Sequence, residues 1–177
     1  METKGQEDAY IRLARASVEA YVRERRVLDI PAGLPKEMLT ERAGAFVSIH
    51  KRGALRGCIG TIAPVQDCIA EEIIGNAISA STRDPRFLPI SPEELGELEI
   101  SVDILSEAEP IASEAELDPK RYGVIVTKGR KRGLLLPNLD GVDTIEEQVG
   151  IAKQKAGIRV DDTDVLLERF EVVRHEV

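Results

Sequence analysis

The sequence predicts an α+β fold: a mixed, mostly antiparallel sheet with helices at its flanks. Three observations carry that expectation. Apolar residues recur with helical spacing in three long stretches and alternate with strand spacing in several others. Two pairs of strand-like runs are each joined by a short turn-forming stretch that contains glycine. The resulting order is helix, hairpin, helix, strand, hairpin, helix, strand. It joins neighbouring strands by tight turns rather than by the helical crossovers of a parallel sheet.

Residues 7–26 form the opening helix, because Ile11, Leu13, Ala14, Val18, Tyr21 and Val22 recur near the helical period with charged residues between them. VLDIPAGLPKEML follows with two prolines and reads as a loop. GAFVSIH and LRGCIGTIA are two strands, and KRGA between them places Gly53 in a tight turn. A two-residue loop of Arg52 and Gly53 pairs Ile49 with Arg56 and Val47 with Cys58. Arg56 and Cys58 then share one face, with Ser48 and His50 on the other. A one-residue bulge would reverse that parity. Pro64 ends the second strand, and VQDCIAEEIIGNAISASTRD resumes helical spacing. STRDPRFLPI is a connection stiffened by two prolines. SPEEL has a capping signature, Ser91 before Pro92 with Glu94 three residues on, and Gly96 keeps that helix short. ELEISVDILSE alternates as a half-buried strand. YGVIVTKGRKRGLLLPNL is a second hairpin turning at KGRKRG, and DTIEEQVGIAKQKAG is a helix stopped by Gly157. DVLLERFEVVRH is the last strand. No internal repeat is evident.

A length of 177 residues is that of one domain, and 42% hydrophobic content is enough for a core. A net charge of −8 and the absence of Trp argue against a general nucleic-acid binder, which needs cations for phosphate and aromatic platforms for bases. Cys58 and Cys68, with only His50 and His175 beside them, are too few for a disulfide framework or a thiolate zinc site, so no metal is expected; nor is there a sign of an organic cofactor. METKGQEDAY has no apolar leader core, and no apolar run approaches the ~18 residues of a membrane span. A cytoplasmic protein is expected. Scarce Asn, Gln, Cys and Met beside plentiful Glu and Arg resemble a thermophile's composition.

Chemistry concentrates in ALRGCIGTI, residues 54–62, where an arginine, two glycines and a cysteine interrupt an apolar run. Glycine brings a strand no side chain to pack, so Gly57 and Gly60 mark close approach of something to the backbone. Three readings of Cys58 stand side by side. It is a small inert residue packed in the core, a thiol whose pKa is lowered by Arg56, or part of a binding strand without catalysis. In TRDPRF, Arg83 and Arg86 could grip an anion with Asp84 orienting one of them, or the three could serve only the turn. KGRKRG and DDTD read as solvated turns.

LRGCIGT, residues 55–61, resembles the signature of the AMMECR family. GAFVSIHKRGALRGCIGT, DPRFLPI, LEISVDIL, YGVIVTKGRKRGLLLP and QVGIAKQKAG occur in that family's order, so the resemblance spans nearly the whole chain. It implies a single domain over residues 1–177, with a larger and a smaller lobe and LRGCIGT near the cleft between them. By position the motif falls on Leu55, Arg56, Gly57, Cys58, Ile59, Gly60 and Thr61. Further motifs fall on Asp84 to Phe87 and on Gly133 to Pro137. Asn138 stands where the family pattern has glutamine, and His50 where it more often has lysine or another polar residue. The resemblance implies an enzyme or enzyme component with Cys58 as nucleophile or ligand contact. Arg56 would tune it, and Gly57, Gly60, Thr61, Asp84 and Arg86 would bind the ligand. The alternative is an adaptor without turnover acting with a MEMO-like protein and a radical-SAM protein, since microbial members of the family resemble the first component of a three-part set with those two.

Overall fold

The computed structural model describes residues 5–177. Residues 1–4, the start of the stretch read as lacking a leader, lie outside it. The first helical stretch is α1, Ala9–Glu24, begun by Asp8, whose carboxylate accepts the Ile11 amide at 3.0 Å. Inside the proline-containing stretch read as a loop, Lys36–Thr40 coils into a short helix, α2. Pro35 directly precedes it, and a proline there restricts only the residues before it. The first hairpin is β1, Ala45–Lys51, and β2, Ala54–Gly60. Arg52 and Gly53 form its two-residue loop, with φ of 51° and 80°, the left-handed values that suit the twist of a tight hairpin. Helix α3, Ile69–Thr82, a 3-10 turn at Pro92–Glu97 and strand β3, Leu98–Leu105, complete this part. The capping signature at Ser91 is real: its amide donates to Glu94 Oε2 at 2.8 Å.

The remaining elements are β4, Glu109–Ile111; β5, Gly123–Lys128; β6, Lys131–Leu135; α4, Ile145–Ala156; β7, Leu166–Phe170; and β8, Val172–His175. The second hairpin turns on Gly129 and Arg130 alone, so Lys131, Arg132 and Gly133 belong to β6 rather than to the turn. The stretch read as one last strand is two, broken at Glu171 and split between two sheets.

The chain divides into two units, one running to Leu105 and regaining Val173–Val177, the other spanning Ser106–Val172. The first holds a sheet of order β2-β1-β3-β8 and the second a sheet of order β4-β7-β5-β6. β1 is antiparallel to both β2 and β3, and β5 to both β6 and β7. The α+β class and the antiparallel pairing are therefore as expected.

A repeat that the sequence hides is visible here. Each unit contains hairpin, helix, strand, with the first hairpin strand in the centre: β2-β1-β3 with α3, and β6-β5-β7 with α4. The fourth strand has opposite origins, following the repeat in one case and preceding it in the other. In the first unit α1 and α3 cover one sheet face, burying Val47, Ile49, Ile100 and Val102 against Val18, Ile73 and Ala77. Complete burial of such a side chain contributes about 1.5–3 kcal/mol. In the second, α4 covers Val124, Val126 and Leu135 with Val149 and Ala152.

The first hairpin carries a bulge. Ser48 pairs with Cys58 and Ile49 with Gly57, but His50 pairs with Leu55, leaving Arg56 as the extra residue. The pairings expected from an unbulged hairpin, Ile49 with Arg56 and Val47 with Cys58, are thereby overturned. Cys58 shares its face with Ser48 and His50, the face away from the helices.

Candidate functional site

β2 is an edge strand, and at Cys58 its outward backbone groups meet the DPRF turn instead of another strand. Asp84 Oδ2 accepts the Cys58 amide at 3.0 Å, and Arg86 Nη2 donates to the Cys58 carbonyl at 3.3 Å. Arg86 also donates to Asp84 from Nε at 3.1 Å and from Nη2 at 2.8 Å, while its amide donates to Oδ1 at 3.1 Å. The turn thus substitutes for one rung of a neighbouring strand. Asp84 is buried, and the hydrogen bond from Arg86 outweighs that burial, holding its carboxyl at about 2 with help from the Cys58 and Arg86 amides. Arg86 in turn lies above its ordinary value, chiefly through its hydrogen bond to Asp84, against burial, and then through the Asp84 charge.

Arg56, aimed by the bulge, reaches elsewhere. Nε and Nη2 grip Glu94 at 2.9 and 3.1 Å, and Nη1 and Nη2 donate to the carbonyls of Leu88 and Pro89 at 2.7 and 3.3 Å. Lys51 Nζ joins the same carboxylate at 3.0 Å. Glu94 is drawn down to about 2, first by Arg56, then by the Ser91 amide and Lys51, against burial. Arg56 therefore fastens the segment that follows DPRF, and Arg86 is the arginine at Cys58. The two arginines of TRDPRF diverge, since Arg83 reaches the Tyr21 hydroxyl at 3.5 Å.

On the open face, Cys58 Sγ lies 3.2 Å from Ser48 Oγ, and Ser48 pairs across β1 with Ser101 of β3. One rung on, His50 pairs with Glu99. A cavity of about 370 Å³ opens beside His50, Glu99 and Ser101, with Arg15 and Glu7 on its wall. A second cavity, about 510 Å³, lies in the other unit between Ile111, Thr127, Arg132 and Leu166. Cys58 lines neither. Cys58 is half-buried; Cys68, the residue that begins α3, is buried. Among the described residues no group of three His, Cys, Asp or Glu side chains is placed to hold a metal ion, and no helix is long and apolar enough to cross a membrane.

The glycines have internal reasons. A Cβ on Gly57 would sit 2.1 Å from the Ala80 carbonyl oxygen of α3, and one on Gly60 would sit 2.3 Å from the Phe46 ring. The close approach that they permit is made by the protein's own helix and ring. Thr61 is engaged too: its hydroxyl donates to Glu72 at 2.9 Å and accepts from Asn76 at 3.2 Å. Glu72, fully buried, also accepts the amides of Val65 and Gln66 at 2.8 and 3.0 Å. The sequence reading weighed Glu72 only with Glu71, as a carboxylate pair that adjacent helix positions rule out, and did not single out Asn76. Their only signal was polar residues on the apolar side of a helix. Asn138 has a φ of 56°, a conformation that asparagine tolerates better than glutamine.

The second unit serves as an internal comparison. Gly133 occupies the place of Gly57, with a Cβ there 2.3 Å from the Ala152 carbonyl oxygen of α4, and Arg132 precedes it as Arg56 precedes Gly57. The row Cys58, Ser48, Ser101 is replaced by Leu134, Ile125, Glu168. The glycine against the helix carbonyl recurs in both units, whereas the thiol row stands in the first alone.

Known proteins resemble this chain along its length. A protein of Thermotoga maritima is 53% identical over 171 residues, covering 96% of this chain and 98% of that protein. One of Clostridium acetobutylicum is 52% identical over 177 residues, but this chain spans only 37% of its length. The crystal structure of an uncharacterized protein from Pyrococcus horikoshii superimposes with a TM-score of 0.88 at 31% identity, covering 97% of this chain and 93% of that one. A family model, AMMECR1, matches residues 11–175.

Proposed function

The chain belongs to the AMMECR1 family, and on that premise we propose that it is an enzyme, or one component of an enzyme, that works through the Cys58 thiol on the open face of its first sheet. The observation that carries this reading is the internal comparison: the same hairpin-helix-strand scaffold stands in the second unit with leucine in place of the cysteine. The recurrence of the glycine in both copies, with the thiol in one, supports a role for that thiol beyond the scaffold.

The roles follow from the contacts. Cys58 is the nucleophile or ligand contact, with Ser48 able to donate a hydrogen bond to its thiolate. Asp84 and Arg86 fix the backbone beneath it, and Arg86 adds the cationic field that lowers a thiol pKa. Arg56 acts at one remove, by fastening residues 88–94. Gly57, Gly60 and Thr61 shape the strand that carries the thiol.

Alkylation of Cys58 against pH tests the reading, with Cys68 in the same chain as control. The expected result is fast reaction in the folded protein with an apparent pKa well below the ~8.5 of an ordinary thiol, slowed by Arg86→Gln. A Cys58 inert until unfolding would refute it.

A second reading, a docking module without turnover that acts with a MEMO-like and a radical-SAM protein, is favoured by one observation. The Clostridium relative carries this domain as 37% of a longer chain. Cys58→Ser would then leave the biological function intact.

A further inference from the structure

The Asp84–Arg86 pair is lopsided. Asp84 is 4% exposed, and its two oxygens are occupied by the amides of Cys58 and Arg86 and by the guanidinium. The Arg86 side chain is 53% exposed. Its inner edge, Nε and Nη2, is committed to Asp84 and to the Cys58 carbonyl, whereas Nη1 takes part in none of these bonds. An arginine offers five N–H donors in a rigid fork. A ligand arriving from solvent at Cys58 therefore meets the exposed positive end of an ion pair whose carboxylate is buried, with Nη1 outside that pair's bonds.

The other charges nearby do not cancel it. Glu94 is gripped by Arg56 and Lys51. Arg83 is turned toward Tyr21. The groups facing Cys58 from β1 are the Ser48 hydroxyl and, one rung on, His50.

Resting on the reading of Cys58 as a reactive thiol, we propose that Arg86 makes this site selective for electrophiles that carry an anionic oxygen group. The anion docks on the outward edge of the guanidinium, and the electrophilic carbon is presented to the sulfur. Arg86 would then have two effects: it favours the thiolate, and it selects what the thiolate attacks.

Iodoacetate and iodoacetamide separate these effects, because they differ in charge and share one reaction. The Cys58 thiol loses its proton to solvent and the sulfur attacks the iodomethyl carbon. The C–S bond forms as the C–I bond breaks, and iodide leaves with the bonding pair. A cation that only lowers the thiol pKa accelerates both reagents alike, whereas an anion site accelerates iodoacetate alone.

The ratio of the two rates, iodoacetate over iodoacetamide, is to be measured for Cys58 in the folded protein and in the urea-unfolded chain. The expected ratio is about tenfold higher in the folded protein, from one guanidinium within a few ångströms. Arg86→Gln should return it to the unfolded value. Arg86→Lys, which keeps the charge and guards against loss of fold, should retain part of it. Acetate and inorganic phosphate as competitors distinguish a carboxylate site from a phosphate site. A folded ratio no higher than the unfolded one, with Cys58 still reactive, overturns the proposal and leaves the thiol reading standing. Should Cys58 react with neither reagent, the thiol reading falls, and inorganic phosphate decides the anion site. A saturable shift of the Cys58 and Arg86 amide resonances that Arg86→Gln abolishes upholds the anion site; no shift overturns it.

Discussion

Asp84 and Cys58 are joined side chain to backbone: Oδ2 of one accepts the amide of the other at 3.0 Å across a gap of 26 residues. The contact leaves the thiol itself untouched. It closes the free edge of β2 at one rung and fixes the strand from which the sulfur projects. The aspartate of the turn and the cysteine of the strand thus form one structural unit, with Arg86 completing it from the carbonyl side.

That unit has a pH signature. Asp84 and Glu94 both lie at about 2, below their ordinary 3.8 and 4.5. A carboxyl depressed in the folded state stabilises above its unfolded value, and the contribution is lost as pH falls through the folded one. Stability is therefore expected to hold above about pH 5 and to decline between about 4.5 and 2. Denaturant titrations across that range should show a shallower decline in Asp84→Asn and in Glu94→Gln. Identical pH profiles for wild type and both variants would contradict the assignment.

The two glycines against helix carbonyls should behave alike. Gly57→Ala and Gly133→Ala each force a Cβ into a backbone oxygen, at 2.1 and 2.3 Å. Each is expected to cost about 3 kcal/mol. Gly96→Ala, with nothing within 4 Å, is expected to change stability by less than about 0.5 kcal/mol. Thermal or chemical melts of the three variants check this.

Asp103 is buried, and burial raises its pKa despite hydrogen bonds from Arg174, the nearer at 2.8 Å. Arg174→Ala weakens the compensation for a buried carboxylate and is expected to cost about 3 kcal/mol at neutral pH. Because protonation removes the unpaired charge, the loss should shrink on acidification toward pH 4. A deficit that is constant with pH would exclude this mechanism.

Ser48 and His50 share the face of Cys58, and Ser48 Oγ lies 3.2 Å from its sulfur. Ser48→Ala is expected to slow alkylation at neutral pH roughly fivefold, the loss of about one hydrogen bond to the thiolate. His50→Gln is expected to leave the rate within a factor of two if, as proposed, Arg86 supplies the charge. A large effect of His50 with none of Ser48 would reassign the partner of the thiol.

Much of this architecture was legible in the sequence because it is local. Helical spacing marked α1, α3 and α4, Gly53 marked the first turn, and Ser91 with Glu94 marked a capped start. What escaped depends on distant partners. The bulge at Arg56 brings its guanidinium to Glu94 and to the carbonyls of Leu88 and Pro89, none of which is a hairpin residue. One displaced residue moved Cys58 to the other face. The glycines read as room for a ligand because their real neighbours, Ala80 and Phe46, are near only after folding. The break at Glu171 has no glycine or proline to announce it, since the strand changes sheets rather than stopping. The repeat is concealed because it preserves connectivity and one Arg-Gly pair, not the residues around them.

The return of β8 to the first sheet sets a timetable for synthesis. Strands β4 to β7 lie within residues 109–170, so the second sheet is complete once that segment has left the ribosome. The first sheet begins at Ala45 yet must wait for Val172–His175 to cover the flank of β3. The half translated first is therefore finished last. In the interval β3 is a nascent edge held open to any extended chain that passes.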